Sequence, residues 1–159
     1  VPDIPYHVDP AKMQLVEGCG EALRALRDAG FALVVVSNQS GVARGYFEEA
    51  AVKTVEVRLR ELLEAEGVTL EGFYACPHHP EGVWAGYATV CDCRKPNPGL
   101  LVRAARELDL DLGRSWMVGD ILDDCEAGQR HCQVADLGVS KLGDRGSYRA
   151  AIKPLRQPR

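Results

Sequence analysis

The sequence has no excess of positive charge. Its 19 lysines and arginines are outnumbered by 23 aspartates and glutamates, so the formal net charge is -4. A protein that binds the phosphate backbone of nucleic acid needs a basic face that neutralises several phosphates. We therefore expect no nucleic-acid partner.

Long apolar segments are also missing. The longest unbroken run is Phe31 to Val36, whereas a helix that crosses a bilayer needs about 20 apolar residues. The opening segment, VPDIPYHVDP, has neither the basic nor the apolar stretch of a secretory signal. We expect a cytoplasmic protein without a membrane partner. In that reducing compartment its six cysteines are thiols or metal ligands rather than disulfides.

Apolar periodicity predicts helices that alternate with strands. Segments with apolar residues at helical spacing are predicted helices, and short unbroken apolar runs are predicted strands. The predicted helices cover residues 18–30, 47–66, 97–108 and 122–130, and the predicted strands cover 31–36, 72–75, 115–118 and 133–138. This alternation indicates an α/β fold with a mostly parallel sheet. A chain of 159 residues fits a single domain, which we predict over 1–159, and the stretch 143–159 has no assigned element.

Glycine, asparagine and proline mark the predicted helix ends. Gly30 stands where a glycine commonly closes a helix, and the second predicted helix runs up to Gly67. Asn97 is the predicted N-cap of the third helix, with Pro98 at its first position.

The stretch CPHHPEGVWAGYATVCDCRK, in a loop insertion predicted over residues 76–96, holds three of the six cysteines and two of the four histidines. Cys76-x-His78 and Cys91-x-Cys93 are two short chelating pairs. Three thiolates and an imidazole suit tetrahedral zinc, and a structural site uses all four ligands. We predict that zinc braces this loop, which lacks an apolar core of its own.

Other interpretations of these residues stay open. His79 could replace His78 as the ligand. The cysteines could be free thiols, whereas a disulfide between Cys91 and Cys93 would be strained. The remaining cysteines fall in predicted helices and strands, where a small buried residue is expected; they are Cys19, Cys125 and Cys132.

Polar residues collect where predicted strands end. Ser37 and Asn38 directly follow the strand 31–36, and their hydroxyl, amide and backbone N–H groups can donate to a phosphate oxygen. Arg94 and Lys95 follow the predicted zinc ligands and can hold phosphate charge. Ligands of open parallel sheets bind at the carboxyl ends of the strands. These residues therefore predict a phosphate site, with a plain polar turn and a solvated basic pair as the alternatives.

Carboxylates follow the predicted strand 115–118 at the same edge of the sheet. Asp120 comes directly after Gly119, and Asp123 and Asp124 lie one helical turn further on. A carboxylate beside a phosphate suits Mg²⁺, which needs only one or two protein carboxylates. For Asp123 and Asp124, stabilisation of the N-terminus of the next helix is equally open.

Three motifs together resemble one known family. SNQSGVARG, CPHH…CDCRKPNPG and MVGD are similar to motifs of the haloacid dehalogenase (HAD) superfamily, in its zinc-containing branch of D-glycero-D-manno-heptose 1,7-bisphosphate phosphatases and histidinol-phosphatases. The resemblance runs from about Asp3 to Cys132. It implies a Rossmann-like three-layer HAD fold, structural Zn²⁺ and a Mg²⁺-dependent phosphatase. The implied substrate is a sugar phosphate, the heptose bisphosphate, with histidinol phosphate as the alternative.

The resemblance also implies roles for individual residues. Ser37 is the phosphate-binding hydroxyl, Lys95 stabilises the aspartyl-phosphate, and Asp120 is the magnesium ligand. Arg94 contacts the substrate beside Lys95. The other implied substrate contacts are Asp3, Tyr6, Asn38, Gln39 and Ser40, and the implied zinc ligands are Cys76, His78, Cys91 and Cys93.

One motif of this family is absent from the sequence. Its phosphatases attack phosphorus with an aspartate in an LDxDGT segment, and a second aspartate two residues later is the general acid and base. In the family that segment precedes the stretch matching Asp3 to Tyr6 and forms the central strand of the sheet. Because the chain begins with Val1, we expect truncation there and consider one at the other end. The chain as given is then expected to be inactive, with a poorly supported core.

Two alternatives to this hypothesis remain. A protein that lost its first strand by design would be a catalytically dead HAD-like fragment or a zinc-stabilised binding module. Ile121, directly after Asp120, stands where the heptose enzymes often carry a polar or basic residue, which keeps histidinol phosphate open as the substrate. A monomer is expected in either case.

Overall fold

The computed structural model describes residues 6–129 and 131–136. The helices are α1 (Cys19–Asp28), α2 (Glu49–Ala65), α3 (Gly99–Leu108) and α4 (Leu122–Gln129), and the strands are β1 (Val34–Asn38), β2 (Gly72–Cys76), β3 (Trp116–Gly119) and β4 (Gln133–Asp136). Two short 3-10 turns cover Pro10–Lys12 and Leu112–Arg114. No helix among the described residues is long and apolar enough to cross a membrane. The tail 143–159 lies outside them, and the prediction of one domain over 1–159 stays a prediction.

Helices cover both faces of the strand pair β1 and β2, which gives the predicted three-layer arrangement. Successive residues of a strand point to opposite faces. Val34 and Val36 pack toward α3, against the apolar cluster around Leu100. Val35 packs toward α1 and α2, against the cluster around Leu63. The first residues of β1 form an unbroken apolar run because both faces of the strand pack against helices.

The described strand pairs are parallel, as predicted. β1 pairs with β2 in a register that sets Asn38 opposite Cys76, and β3 pairs with β4. Over the residues that the structure describes, no ladder hydrogen bond joins the two pairs. Val36 of β1 nevertheless packs against the cluster around Met117 of β3. The sheet is therefore divided between β1 and β3, where the family resemblance implies a central strand.

The first strand begins later than predicted and includes more residues at its end. The prediction placed it at 31–36 with Ser37 and Asn38 in a loop, but both residues belong to β1. Phe31 instead closes α1, because the N–H groups of Gly30 and Phe31 donate to carbonyls of its last turn at 2.8 and 3.1 Å. With Gly30 at φ 85°, these bonds satisfy carbonyl groups at the C-terminal end of α1. The strand β1 can therefore begin only after Phe31.

Helix α3 also begins later than predicted. The sequence predicts Asn97 as N-cap and Pro98 as the first helical residue, but the helix begins at Gly99 with Pro98 at the cap. The side chain of Asn97 instead donates from Nδ2 to the carbonyl of Cys91 at 2.9 Å. The N-cap prediction was wrong because this amide holds the preceding loop, a contact that no local sequence signal reveals.

The strands that flank the division are less buried than predicted. Every residue of β1 keeps part of its surface accessible, and Val118 of β3 is 49% exposed. Each of these strands has a described partner on one edge only, so side chains near the other edge are incompletely covered. The three cysteines expected to be buried are only partly buried: Cys19, Cys125 and Cys132.

Candidate functional site

The four predicted zinc ligands lie together at the end of β2. Cys76 is the last residue of that strand, and the other three come from the segment 77–98, which we call the metal-ligand loop. The sulfur atoms of Cys76, Cys91 and Cys93 and a ring nitrogen of His78 all lie within 4.8 Å of one another. Five of these separations fall between 3.1 and 3.7 Å.

This donor set fits zinc. Standard Zn–S and Zn–N bond lengths give a tetrahedral Cys₃His site edges of about 3.5–3.8 Å. Two of the five observed separations, 3.6 and 3.7 Å, lie in this range, and the other three, at 3.1–3.3 Å, are slightly shorter. The sulfurs are much further apart than the roughly 2.0 Å of a disulfide, and all three are free thiols. Burial raises the pKa of the Cys76 thiol, and its hydrogen bond with Cys93 raises it further. A cation that binds here therefore displaces protons.

His79, the alternative ligand, is not part of this cluster. Its Nε2 lies 2.9 Å from Nη2 of Arg44, and its Nδ1 accepts from the N–H of Glu81 at 3.1 Å. Burial lowers the pKa of the His79 ring, and the nearby guanidinium groups of Arg44 and Arg94 lower it further. The lowered pKa favours the neutral form of the His79 ring. The structure groups His78, and not His79, with the cysteines.

Main-chain hydrogen bonds join the metal-ligand loop to the loop that follows β1. The N–H of Gln39 donates to the carbonyl of Cys76 at 2.7 Å, and that of Ala43 donates to Pro77 at 3.2 Å. The carbonyl of Ala43 in turn accepts from Val83 at 2.7 Å, and Ala43 is fully buried. The two loops therefore form one unit at the carboxyl ends of β1 and β2.

Lys95 lies at the junction of the two strand pairs and is only 7% exposed. Its Nζ donates to the carbonyl of Val36 at 2.8 Å and lies 2.6 Å from Oδ1 of Asp124. The second contact is an ion pair rather than an aligned hydrogen bond. Val36 belongs to β1 and Asp124 to α4, so the ammonium group connects both halves of the divided sheet. A buried ammonium group needs such a partner because desolvation is costly.

Asn38 fixes the main chain of Lys95. Its Nδ2 donates to the carbonyl of Lys95, and its Oδ1 accepts from the N–H of Lys95, both at 3.0 Å. These bonds hold the end of the metal-ligand loop against the end of β1. The sequence reasoning missed this positioning contact, and the predicted contact of Asn38 with substrate stays a prediction.

Ser37 keeps a proton that it can donate. Its Oγ accepts from Nε2 of Gln39 at 2.9 Å, and a hydroxyl that accepts one hydrogen bond can still donate another. Gln39 is held by this bond and by its N–H contact with Cys76. Ser40 begins the next turn, where its carbonyl accepts from the N–H of Arg44 at 3.0 Å. Within residues 6–129 and 131–136 this O–H group has no acceptor, so the end of β1 presents a hydroxyl that can donate to a ligand.

The three carboxylates after β3 have different surroundings. Asp120 directly follows the strand and is exposed, so a cation can reach it. Asp123 lines a pocket of about 160 Å³ together with Arg94 and Lys95. Asp124 is 6% exposed and is paired with Lys95. The sequence left the roles of Asp123 and Asp124 equally open, and the structure shows that their surroundings differ.

The remaining predicted contacts are Asp3, Tyr6 and Arg94. Tyr6 is 48% exposed, and its ring meets that of Tyr46 edge-on at 4.7 Å between centroids. Nη1 of Arg94 is buried without a hydrogen-bond partner among the described residues, and so is Nε of Arg44. Asp3 lies outside the described residues. Arg44 received no predicted role although it belongs to the SNQSGVARG motif, because burial of one nitrogen cannot be inferred from sequence.

This chain matches a protein-family model and resembles curated proteins in sequence. A family model for HAD-hydrolase-like proteins matches residues 92–131. The D-glycero-beta-D-manno-heptose-1,7-bisphosphate 7-phosphatase of Yersinia pestis is 46% identical over 129 residues, which are 81% of this chain and 66% of that protein. The chain spans 60% to 66% of the length of the curated relatives it matches.

Two crystal structures share the fold. A protein of Mesorhizobium loti described as a HAD-like phosphatase has a TM-score of 0.77 and 44% identity, covering 84% of this chain and 63% of that one. The D,D-heptose 1,7-bisphosphate phosphatase of B. bronchiseptica, complexed with magnesium and phosphate, has a TM-score of 0.71 and 32% identity. That match covers 83% of this chain and 71% of the other. The predicted HAD-like α/β fold is confirmed.

Proposed function

Because the chain belongs to the HAD-like hydrolases, in the branch of the heptose bisphosphate phosphatases, we propose that it forms the phosphate-binding part of a sugar phosphate phosphatase. The proposed substrate is D-glycero-D-manno-heptose 1,7-bisphosphate, from which the 7-phosphate is removed. One observation carries the proposal: a buried ammonium group, that of Lys95, is held at the same sheet edge as the hydroxyl of Ser37. The names of the relatives support the choice of substrate.

Ser37 and Lys95 are proposed to hold the transferred phosphoryl group. Enzymes catalyse phosphoryl transfer mainly by positioning and by stabilising charge on the phosphoryl oxygens. An ammonium group has three N–H donors, and Val36 and Asp124 occupy two directions around Lys95. The third N–H can therefore donate to a phosphoryl oxygen while Ser37 donates to another.

Asp120 and Asp123 fit a magnesium ion beside this group. Mg²⁺ keeps several waters and needs only one or two protein carboxylates, and Asp124 is already paired with Lys95. Mg²⁺ bound at these carboxylates would neutralise charge on the phosphoryl oxygens. The magnesium and phosphate in the B. bronchiseptica enzyme support this assignment.

The nucleophile of the proposed reaction is an aspartate on a strand between β1 and β3. The division of the sheet at this point supports that position, and no LDxDGT segment occurs among the 159 residues. Zinc is proposed to stabilise the metal-ligand loop and thereby the position of Lys95. We further propose that the protein acts as a monomeric single domain in the cytoplasm.

The proposal is tested with the protein expressed from its complete open reading frame. Phosphate release is measured with heptose 1,7-bisphosphate and with histidinol phosphate. We expect preference for the heptose and a loss of at least about 100-fold in kcat/KM for Ser37→Ala, because a donor to the reacting phosphoryl group is removed. Ser115→Ala, which removes a hydroxyl bound to the Asp111 carbonyl, is the matched control. Release from histidinol phosphate alone would contradict the substrate assignment.

A zinc-stabilised binding module is the second candidate, favoured by the absence of LDxDGT from this sequence. It predicts that the genomic reading frame starts near Val1. An upstream segment that encodes LDxDGT in frame would exclude it, and a start codon at Val1 would support it.

A further inference from the structure

We propose that Asn97 and Gly99, at the start of α3, position the turn 91–93, which we call the ligand turn. This turn carries two of the four zinc ligands and lies just before Lys95 in the chain. Neither Asn97 nor Gly99 is among the predicted site residues. Their effect on the zinc ligands is the first part of the proposal, and their effect on Lys95 is the second part, which rests on the proposed function.

The ligand turn is bound to the start of α3 through two successive carbonyl groups. Nδ2 of Asn97 donates to the carbonyl of Cys91 at 2.9 Å. The N–H of Gly99 donates to the carbonyl of Asp92 at 3.0 Å. The two bonds therefore fix the main chain that carries the two thiol groups of the C-x-C pair, whose sulfur atoms are 3.3 Å apart.

Gly99 has no room for a side chain. A Cβ at this position would overlap the carbonyl oxygen of Asp92, and it would lie 2.7 Å from the carbonyl carbon of that residue and 3.1 Å from the nitrogen of Cys93. All three are main-chain atoms, so no side-chain rotation relieves the overlap and the ligand turn itself has to move. Alanine is otherwise a better helix former than glycine. The need for glycine therefore comes from the ligand turn and not from the helix.

The thiol ligands also pack against α3. Cys91 and Cys93 are partly buried against an apolar cluster that contains Leu100 and the third thiol ligand, Cys76. Leu100, the residue after Gly99, is 3% exposed. A shift of the ligand turn relative to α3 thus moves two sulfur atoms relative to that of Cys76. Changes to groups that orient metal ligands typically lower metal affinity about 10-fold to 100-fold.

The same contacts extend to Lys95. The N–H of Asn97 donates to the carbonyl of Arg94 at 2.8 Å, so Asn97 is bonded both to the ligand turn and to the residue directly before Lys95. Misplacement of a catalytic group by about 1 Å can lower a rate by about 100-fold. A shift of the ligand turn is therefore expected to weaken the action of Lys95 on the phosphoryl group.

Metal binding by the protein from the complete reading frame tests the first part. Gly99→Ala should bind zinc at least about tenfold more weakly than wild type. Its cobalt(II) complex should also differ in visible absorption, because the spectrum depends on the coordination geometry. Gly86→Ala is the matched control in the same loop, since a Cβ on Gly86 would meet no described atom within 4 Å, and both readouts should match wild type. Wild-type zinc affinity and an unchanged cobalt spectrum in Gly99→Ala would overturn the proposal.

Asn97→Asp decides the first part if Gly99→Ala does not fold, as judged by circular dichroism. The aspartate keeps the shape of the side chain but replaces the N–H donor by an acceptor, so the carbonyl of Cys91 loses its partner and meets a negative charge. Zinc affinity should fall by about fivefold or more. Zinc affinity equal to that of wild type in Asn97→Asp would contradict the role of this residue.

Phosphate release from heptose 1,7-bisphosphate at saturating zinc tests the second part. Gly99→Ala should lower kcat by at least about tenfold with little change in KM, because the misplaced group acts on the transition state. Gly86→Ala should match wild type. An unchanged kcat in zinc-loaded Gly99→Ala would overturn the role of α3 in positioning Lys95. If wild type releases no phosphate, the proposed function fails, and the zinc and cobalt measurements still decide the first part.

Discussion

Replacement of Asp124 by asparagine tests whether a buried ion pair holds Lys95. Asparagine keeps the shape of the side chain and removes its charge. The side chains of Lys95 and Asp124 are each 8% exposed, and their charged atoms are 2.6 Å apart. Removing one partner of a buried pair leaves an uncompensated charge and costs about 3–5 kcal/mol. We expect Asp124→Asn to lower the free energy of unfolding by about 3 kcal/mol or more.

Denaturant and thermal unfolding of the zinc-loaded protein measure this loss. For a domain of this size, 1 kcal/mol corresponds to about 2–4 °C in Tm, so a fall of at least about 6 °C is expected. Glu61→Gln is the matched control, because Glu61 and Arg58 form an ion pair whose side chains are 57% and 36% exposed. Loss of such an exposed pair should cost at most about 0.5 kcal/mol.

The double variant Lys95→Met with Asp124→Leu separates charge from packing. Both charges are then absent, so no unpaired ion stays buried, and most of the loss seen in Asp124→Asn should be recovered. A loss below about 1 kcal/mol in Asp124→Asn, or a double variant as unstable as the single one, would refute the reasoning.

Three predictions concern the metal-ligand loop. Cys91→Ser should lose zinc in metal analysis and unfold at lower denaturant concentration, because one of four ligands is removed; retained zinc would contradict the assignment. His78→Ala should likewise lose zinc, whereas His79→Ala should keep it, since only His78 lies in the cluster; the reverse pattern would exclude our ligand set. Zinc affinity, measured by chelator competition, should fall as the pH is lowered, by about tenfold per pH unit for each proton that zinc binding releases. The reason is that protons compete with zinc for the thiolates, above all for that of Cys76, whose pKa is raised by burial. A flat profile between pH 6 and about 8 would contradict thiolate ligation.

Much of the fold could be predicted because apolar pattern and helix-end signals agree. Gly30 and Gly67 both adopt positive φ at the ends of helices, as their sequence positions predict. The start of β1 could not be predicted, because Phe31 is apolar like the strand but closes the preceding helix. Burial of the strands was overestimated because it depends on how many edges are paired, and sequence runs do not contain that information.

In the candidate site, too, some features could be predicted from the sequence and others could not. The four zinc ligands could be predicted from their spacing, because short chelating pairs are a local sequence pattern. The partner of Lys95 could not be predicted, since Asp124 lies in α4, far from Lys95 in the chain, and its neighbour Asp123 offers the same chemistry in sequence. Asn38 has two hydrogen bonds to the main chain of Lys95, a contact between residues far apart in the chain. Such long-range polar contacts become visible only when the strands are assembled.

Phosphate release from heptose 1,7-bisphosphate by wild type and by Lys95→Ala, both expressed from the complete reading frame with Mg²⁺ and zinc present, tests the central claim most directly. Lys53→Ala, which alters a lysine whose side chain is 71% exposed, is the control. The account predicts rapid release by wild type and by Lys53→Ala, and a loss of about 1,000-fold or more in kcat/KM for Lys95→Ala, because charge on the phosphoryl oxygens is no longer neutralised. Absence of release by wild type, or a Lys95→Ala variant as active as wild type, would contradict it.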